Sequence, residues 1–321
     1  MSLARAPGKL VLSGAYVVLD GAPSLVAAVD RYAIADSDRA ATFVTEEVAE
    51  AIREGALTRA PWFDASALRT PLPDGSTRKL GLGSSAAILV ASLGAAWGES
   101  SAPLSLPAVF RAAHAAHRAA QGGGSGIDVA ASVYGGVLAC RRAGDGELTV
   151  RAHALPTGLV VTVLASHQSA STSALVAKVR AFRAAEPATY ARHMGEASEA
   201  AELAASCTST ASFVDAVRRQ HRALGALGEQ ADAPIRTAEI ARLAALADSE
   251  DAAFGPSGAG GGDVCFFVGS APPSARFLRA AEAEKLSVLA LDIGAQGVHI
   301  ADGGLRRVAS SSDLSSKTPR G

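Results

Sequence analysis

Residues 79–87 read KLGLGSSAA and run directly into an apolar, Ala-rich segment with helical periodicity. Glycines at positions 81 and 83 allow the backbone to turn its N–H groups towards a ligand, and the N-terminus of a following helix carries partial positive charge. The hydroxyls of Ser84 and Ser85 add hydrogen-bond donors or magnesium ligands. The segment therefore predicts a phosphate-binding loop. The alternative is a glycine-rich helix start in which the two serines only cap the helix.

The loop differs from the two commonest phosphate-binding patterns. It is not the G-x-x-x-x-G-K-[ST] of P-loop proteins. It is also not the G-x-G-x-x-G of dinucleotide-binding folds, which an acidic residue follows about twenty positions later. The sequence therefore argues against ordinary P-loop and Rossmann proteins.

A second glycine-rich segment, FGPSGAGGGD at residues 254–263, leads into an apolar strand at 264–268. Five glycines within eight residues lose much backbone entropy on folding, which is tolerated where the backbone must approach a ligand or another loop closely. We expect such a close approach here. A mobile hairpin tip is the alternative.

A third glycine-rich segment, QGGGSGID at residues 121–128, ends on the carboxylate of Asp128 ahead of a short apolar segment. A carboxylate at this point can act as a general base, or it can orient a lysine or a magnesium ion. The simpler alternative is that Asp128 caps a helix.

The composition indicates a globular protein of two domains or one large domain. The chain has 321 residues, of which 49% are hydrophobic and 19% charged. The net charge of −1 argues against general electrostatic binding of nucleic acid or of an acidic membrane surface. The sequence has no apolar stretch of membrane-spanning length and no signal-peptide pattern, and its three dispersed cysteines fit buried thiols in a reducing cytoplasm. Monomer and homodimer both remain open.

Strands precede helices in each half of the chain, which favours an α+β fold over a doubly wound parallel sheet. We predict an N-terminal domain at residues 1–156, a C-terminal domain at 157–310 and a flexible tail at 311–321. Alternating or apolar runs predict strands at 9–19, 24–34, 136–141, 159–166, 264–268 and 287–291. Helical periodicity predicts helices at 86–97, 106–119, 173–184, 194–207, 211–227 and 238–247.

Together with the opening Ala6-Pro7-Gly8-Lys9, the three glycine-rich segments resemble the GHMP kinases, the family of galactokinase, homoserine kinase, mevalonate kinase and phosphomevalonate kinase. The motif order agrees too, since residues 6–19, 79–87 and 256–265 resemble the family's first, second and third motifs. The resemblance implies an N-terminal domain similar to the second domain of ribosomal protein S5, a C-terminal ferredoxin-like domain, and ATP bound between them. Residues 40–78 match no motif.

Within the family the sequence is most similar to phosphomevalonate kinases. The similarity lies in the segments GAYVVLD at 14–20, SGIDVAA at 125–131 and SASTS at 169–173, and in the pairs LG at 227–228 and PI at 234–235. Mevalonate kinases typically carry Gly-Glu-His in place of the Gly-Ala-Tyr that begins the first segment, and the third motif lacks its usual initial lysine. The resemblance implies transfer of the ATP γ-phosphate to 5-phosphomevalonate, in isoprenoid precursor synthesis. Mevalonate kinase, another GHMP kinase and a non-catalytic protein of the same fold remain alternatives.

The resemblance also implies roles for individual residues. Lys9 and Lys79 would neutralise phosphate charge, and Asp128 would hold Lys9 or the acceptor in place. Because a phosphate acceptor is already an oxyanion, it does not require Asp128 as a base. The ATP phosphates would contact Gly81, Leu82, Gly83, Ser84, Ser85 and Ala86, with Ser84 or Ser85 binding Mg²⁺. The acceptor would contact Ser125, Gly126, Ser169, Ser171, Thr172, Ser173, Ser257, Gly258, Ala259 and Gly260.

Two further groups of polar residues are ambiguous. The hydroxyls of segment 169–173, with Lys178, would form an anion site at the start of a helix, or they would simply cap that helix. His114 and His117 have the spacing of metal ligands on a helix, but no third ligand is evident, so the sequence does not predict zinc.

Overall fold

The computed structural model describes residues 2–71, 75–98, 103–144, 146–166 and 172–301. Its N-terminal elements are β1 (Leu3–Ser13), β2 (Pro23–Ala40), α1 (Glu46–Arg53), β3 (Pro61–Asp64), β4 (Arg69–Pro71), β5 (Thr77–Lys79), α2 (Ser84–Trp97), α3 (Leu106–Gln121), α4 (Ile127–Tyr134), β6 (Val137–Arg142) and β7 (Leu148–Ala152). The C-terminal elements are β8 (Val160–Ser166), α5 (Thr172–Ala185), α6 (Pro187–Ser206), α7 (Thr210–Gln230), α8 (Ala238–Asp248), β9 (Ala253–Pro256), β10 (Val264–Gly269), α9 (Ala275–Ala283), β11 (Leu286–Val288) and β12 (His299–Ile300).

The larger sheet has the strand order β12-β1-β2-β6-β7, with β3 also paired to β2, and all of these pairs are antiparallel. Helices α2 and α4 pack on β1 and β2, and α3 packs on both helices. α2 is buried at every residue from Ala86 to Ala95, as expected of a helix that is apolar all round. A register shift between Pro7 and Gly8 marks an irregularity in β1 just before Lys9, a device that often re-aims a side chain near a site.

The smaller sheet has the antiparallel order β11-β8-β10-β9. α7 packs on β9 and β10, and α8 contacts β9 and α9. Phe254, Phe267 and Phe277 meet edge-to-face beneath these helices, the arrangement that aromatic rings prefer in a core. Sheets and helices thus form separate layers, and the α+β prediction is confirmed.

The six predicted helices are all present, each within a few residues of its expected bounds except that α6 begins earlier, at Pro187. The strand predicted at 9–19 is wrong beyond Ser13. Gly14 has φ 85°, and a Cβ there would lie 2.2 Å from the Pro23 carbonyl oxygen, so the chain turns sharply into a 3₁₀ helix at Val17–Asp20. The sequence analysis missed α1, α4 and α9. The last predicted strand shortens to Leu286–Val288.

The C-terminal part of the described chain returns to the larger sheet, because β12 pairs with β1. The domain boundary at residue 156 stays a prediction, and the tail at 311–321 lies outside the described residues. All three cysteines are free; two are buried, and Cys207 is half-buried. Among the described helices, none is both long and apolar enough to cross a membrane.

Candidate active site

The predicted phosphate-binding loop has the backbone its glycines imply. Gly81 and Gly83 have φ 74° and 76°, in the left-handed region. Gly83 is the N-cap of α2 and supplies no side-chain cap, and Ser84 and Ser85 are the first two helical residues. The N-cap is therefore a glycine, as the alternative also supposed, but the helix is not capped by a serine side chain. The amide groups at the start of α2 face no capping side chain, which is the arrangement that binds an anion.

Lys9 joins strand β1 to this loop. Its backbone amide donates to the Leu82 carbonyl at 2.8 Å, and its Nζ donates to the Gly81 carbonyl at 3.2 Å. Burial lowers the pKa of Lys9, and the charges of Asp128 and Asp263 oppose that shift. The stem of Lys9 packs over the loop, since a Cβ at position 83 would lie 2.9 Å from Lys9 Cγ. A half-buried cation at a phosphate-binding loop suits the neutralisation of phosphate charge.

Asp128 is the second residue of α4, and the N-cap is Gly126, so the interpretation of Asp128 as a cap is wrong. Its Oδ2 lies 3.3 Å from Nε2 of His117, which is 3% exposed. Gly126 lies against the ring of His114, where a Cβ would come within 2.5 Å. No group of three or more His, Cys, Asp or Glu side chains within the described chain could hold a metal ion.

Glu47, in α1, is a site residue that the sequence analysis missed. It is 7% exposed, and its Oε1 accepts from Gln121 Nε2 at 3.2 Å. Burial alone would raise the pKa of Glu47, but its own backbone amide, Gln121, the charge of His117 and a hydrogen bond from Ser85 together lower it. Glu47 therefore stays ionised beside the loop serine. Residues 40–78 carry no motif, so nothing in the sequence connected this carboxylate to the loop.

The second glycine-rich segment is held firmly against the N-terminal half. The Val11 amide donates to Ser257 Oγ at 2.9 Å, and Tyr16 Oη donates to the Ala259 carbonyl at 2.7 Å. A Cβ at Gly258 would lie 3.7 Å from Lys9 Nζ, and one at Gly260 would lie 2.2 Å from the Ile235 carbonyl oxygen. The predicted close approach is confirmed in place of the mobile hairpin tip.

Tyr16 reaches this segment from a strained turn. Its φ and ψ are 63° and −54°, and the Val17 amide donates to the Ala15 carbonyl at 2.8 Å. These values describe a γ-turn with a positive φ, which is rare for a residue with a side chain. Such strain persists only where the surroundings over-determine it. Here the buried ring and the bond to Ala259 supply that constraint.

The remaining predicted site residues are less central. Lys79 is exposed at the end of β5, and Ser125 is half-buried before Gly126. Thr172 and Ser173 are exposed at the start of α5, whereas Ser169 and Ser171 lie outside the described residues. Lys178, expected to face an anion, instead pairs with Asp232 at 2.9 Å on the exposed surface.

Arg236 is a second residue that the sequence analysis missed. Together with Ser13 and Gly258 it lines a small cavity of about 10 Å³ where the two halves of the chain meet. Its side chain lies across Gly225, where a Cβ would be 3.3 Å from Arg236 Nε, and its charge reaches His221. Arg236 is half-buried, and no described residue forms an ion pair with it. A half-buried, unpaired guanidinium favours an anionic ligand.

Stability at mildly acidic pH is expected to depend on His221. Burial, with the charge of Arg236, lowers the pKa of this histidine from 6.5 to about 4. Below pH 6.5 His221 is protonated in the unfolded chain but stays neutral in the folded chain. Its contribution to the free energy of unfolding is therefore complete above pH 6.5 and is lost as the pH falls towards 4. Between pH 7.5 and 5 we expect a loss of about 2 kcal/mol from this group.

Urea unfolding of the wild-type protein and of His221→Gln across this pH range measures the effect. The variant should show the shallower pH dependence. The same pH dependence of the unfolding free energy in the two proteins would contradict the low pKa of His221.

Comparisons with known proteins agree with the motifs. Residues 45–136 match the family model "GHMP kinases N terminal domain", which places much of the unassigned segment 40–78 inside that domain. The structure is similar to the Lin0012 protein from Listeria innocua, with 22% identity and a TM-score of 0.79 over 94% of this chain and 99% of that chain. No curated protein matches the sequence.

Two solved kinases also share the fold. Streptococcus pneumoniae phosphomevalonate kinase, solved with phosphomevalonate and AMPPNP, has 16% identity and a TM-score of 0.71 over 91% of this chain and 100% of that one. L. major mevalonate kinase, solved with R-mevalonate, has 18% identity and a TM-score of 0.62 over 88% and 94%. At these identities the likeness concerns the fold. The chain therefore has the fold of the GHMP kinases, and its residues 45–136 match the model of their N-terminal domain.

Proposed function

We propose that this protein is an ATP-dependent small-molecule kinase that transfers the γ-phosphate to 5-phosphomevalonate and forms 5-diphosphomevalonate, a step of isoprenoid precursor synthesis. The observation that carries the proposal is the half-buried Lys9, whose Nζ donates to the Gly81 carbonyl within the glycine loop at the start of α2. Phosphoryl transfer asks a protein for positioning and charge neutralisation more than for covalent chemistry.

In the proposed reaction an acceptor phosphate oxygen attacks the γ-phosphorus, the bond to the β–γ bridging oxygen breaks, and ADP leaves. The loop amides at Gly81 to Ala86 bind the ATP phosphates, and Lys9 stabilises the charge that develops on the transferred group. Ser257 and Gly258 border the acceptor side, because they lie next to β1 and Lys9. Asp128 orients the acceptor or Lys9.

Magnesium fits the oxygen donors beside the loop. Ser84 and Ser85 offer hydroxyl oxygens at the start of α2, and the ionised Glu47 adds negative charge behind Ser85. When bound, the ion would neutralise charge on the β- and γ-phosphates.

A hydroxyl acceptor, with mevalonate first, is the second candidate. The observation that favours it is the contact between Asp128 and His117, because a carboxylate oriented by an imidazole suits removal of a hydroxyl proton. A phosphate acceptor has no such requirement. The two candidates therefore differ in how strongly they need Asp128.

A coupled ADP-release assay tests the proposal, with magnesium, ATP and, in parallel, 5-phosphomevalonate, mevalonate, galactose and homoserine. We expect turnover only with 5-phosphomevalonate. Turnover with mevalonate alone would replace the acceptor and keep the kinase. No ADP release with any of the four acceptors, combined with ATP binding in calorimetry, would favour a non-catalytic protein of this fold.

Arg236→Gln should selectively weaken binding of an anionic acceptor. Loss of one charge-assisted hydrogen bond corresponds to about a tenfold rise in KM for the acceptor, while KM for ATP stays unchanged. Arg242→Gln is the control, because that exposed arginine pairs with Glu284 at 2.7 Å. Equal KM values for the acceptor in the wild-type protein and in Arg236→Gln would show that Arg236 does not bind the acceptor.

A further inference from the structure

A chain of polar side chains lies behind the phosphate-binding loop and crosses four helices. Ser85 belongs to α2, Glu47 to α1, Gln121 and His117 to α3, and Asp128 to α4. Glu47 and His117 are almost fully buried. Two ionisable groups this deep in a core are costly unless each meets a partner. The partners of Glu47 and His117 therefore indicate the roles of these two residues.

Several contacts link the members of this series to one another. Glu47 accepts from Gln121 at 3.2 Å, and a hydrogen bond from Ser85 and the charge of His117 both lower the pKa of Glu47. His117 Nε2 is buried and forms no hydrogen bond within the described residues, and Asp128 Oδ2 lies 3.3 Å from it. Besides these two carboxylates, the charged or titratable group that interacts with His117 is His114, one turn earlier on α3.

Ser85 and Asp128 stand at the two ends of this series of polar side chains, and both have roles in the proposed kinase reaction. Ser85 starts the helix at the phosphate-binding loop, and Asp128 acts on Lys9 from the acceptor side. The Asp128 side chain is 24% exposed; its Oδ1 accepts from the Val129 amide at 3.0 Å, and its Oδ2 lies 3.3 Å from His117 Nε2. A misplacement of about 1 Å in such a group costs roughly 10²-fold in rate.

We propose that His117 and Glu47 are positioning residues, which hold Asp128 and Ser85 in one orientation on either side of Lys9. The proposal rests on the proposed kinase function, but it assigns roles to two residues that contact neither substrate directly. It predicts that each acts through one end of the chain: His117 through Asp128, and Glu47 through Ser85.

A double-mutant cycle tests the first link. His117→Gln alone should lower kcat about tenfold with KM for ATP unchanged, and it should have less than about a twofold effect in the Asp128→Asn background. The pH profile of kcat should shift in His117→Gln and coincide for Asp128→Asn and the double variant. Additive losses, or an unchanged His117→Gln enzyme, would overturn this link.

A second cycle tests the other link without requiring turnover. The Kd of a non-hydrolysable ATP analogue with magnesium, measured by calorimetry, should rise about tenfold in Glu47→Gln and no further when Ser85→Ala is added. Glu50→Gln is the matched control on α1, because its carboxylate pairs with the exposed Arg53 and not with Ser85 or His117. Unchanged affinity in Glu47→Gln, or additivity with Ser85→Ala, would overturn this link.

Folding and function are separable in these experiments. Thermal unfolding is recorded for each variant, and Gln121→Ala replaces Glu47→Gln if that variant does not fold, since Gln121 is exposed and its loss removes the hydrogen bond to Glu47. Wild-type protein that binds the nucleotide but phosphorylates no acceptor would contradict the proposed function alone. The nucleotide-binding cycle would still decide whether Glu47 acts on Ser85.

Discussion

Lys9→Ala lowers kcat/KM for the acceptor by about 10³-fold, whereas Asp128→Asn lowers it by only about 30-fold; this is the order we expect for an anionic acceptor. Lys9 is the half-buried cation whose Nζ donates to the Gly81 carbonyl at 3.2 Å, and its loss leaves the charge that develops on the transferred group without a counter-ion. Asp128 only orients, because an acceptor phosphate has no proton that must be removed.

Two further measurements sharpen this prediction. Lys9→Met keeps an aliphatic stem over Gly83 and should lose as much activity as Lys9→Ala, which separates the charge from the packing. The pKa of Lys9 is lowered by burial, so kcat/KM should fall on the alkaline side below the ordinary lysine value of 10.5. A larger loss for Asp128→Asn than for Lys9→Ala would count against an anionic acceptor and favour a hydroxyl.

Gly83→Ala is expected to abolish nucleotide binding, with a rise in Kd of at least about 100-fold. At φ 76° any side chain is strained, and its Cβ would lie 2.9 Å from Lys9 Cγ. The lysine stem must then move away from the loop, and the Nζ contact to Gly81 moves with it. The new methyl group therefore disturbs both the amide groups and the cation that bind phosphate.

Gly55→Ala is the matched control, because Gly55 has φ 77° but no atom within 4 Å of its Cβ position. Both substitutions should destabilise the protein by about 1 kcal/mol through backbone strain, as read from the change in Tm. Only Gly83→Ala should lose affinity for the ATP analogue in calorimetry. Retained affinity in Gly83→Ala would show that the loop does not bind phosphate.

Much of the fold could be predicted from periodicity. The Ala-rich amphipathic or apolar runs gave six helices because a period near 3.6 is visible in the residues themselves. The loop at 79–87 was recognisable for the same local reason, since glycines mark the positions of positive φ. Helix α1 was missed because its eight residues, Glu46–Arg53, lie in a segment with no motif and are too few for a clear pattern.

The active-site partners were harder to predict. Sequence analysis identified Lys9, Asp128 and the loop serines individually, but it did not identify Glu47 or Arg236, and it considered His117 only as a metal ligand. Nothing about a single glutamate in an unassigned segment indicates that it will contact a serine almost forty positions later. Long-range contacts of this kind depend on how helices pack, and packing leaves no local signature.

The sequence by itself determined where the backbone turns, where α2 begins and which segments are glycine-rich enough to approach phosphate, because φ preferences and helix starts depend on neighbouring residues. Only the tertiary structure decided which side chains meet there. Tyr16 reaches Ala259 across 243 positions of sequence, and His117 reaches Asp128 because α3 and α4 pack together. Such contacts form when burial of apolar helix faces brings distant segments together, and no local preference encodes them.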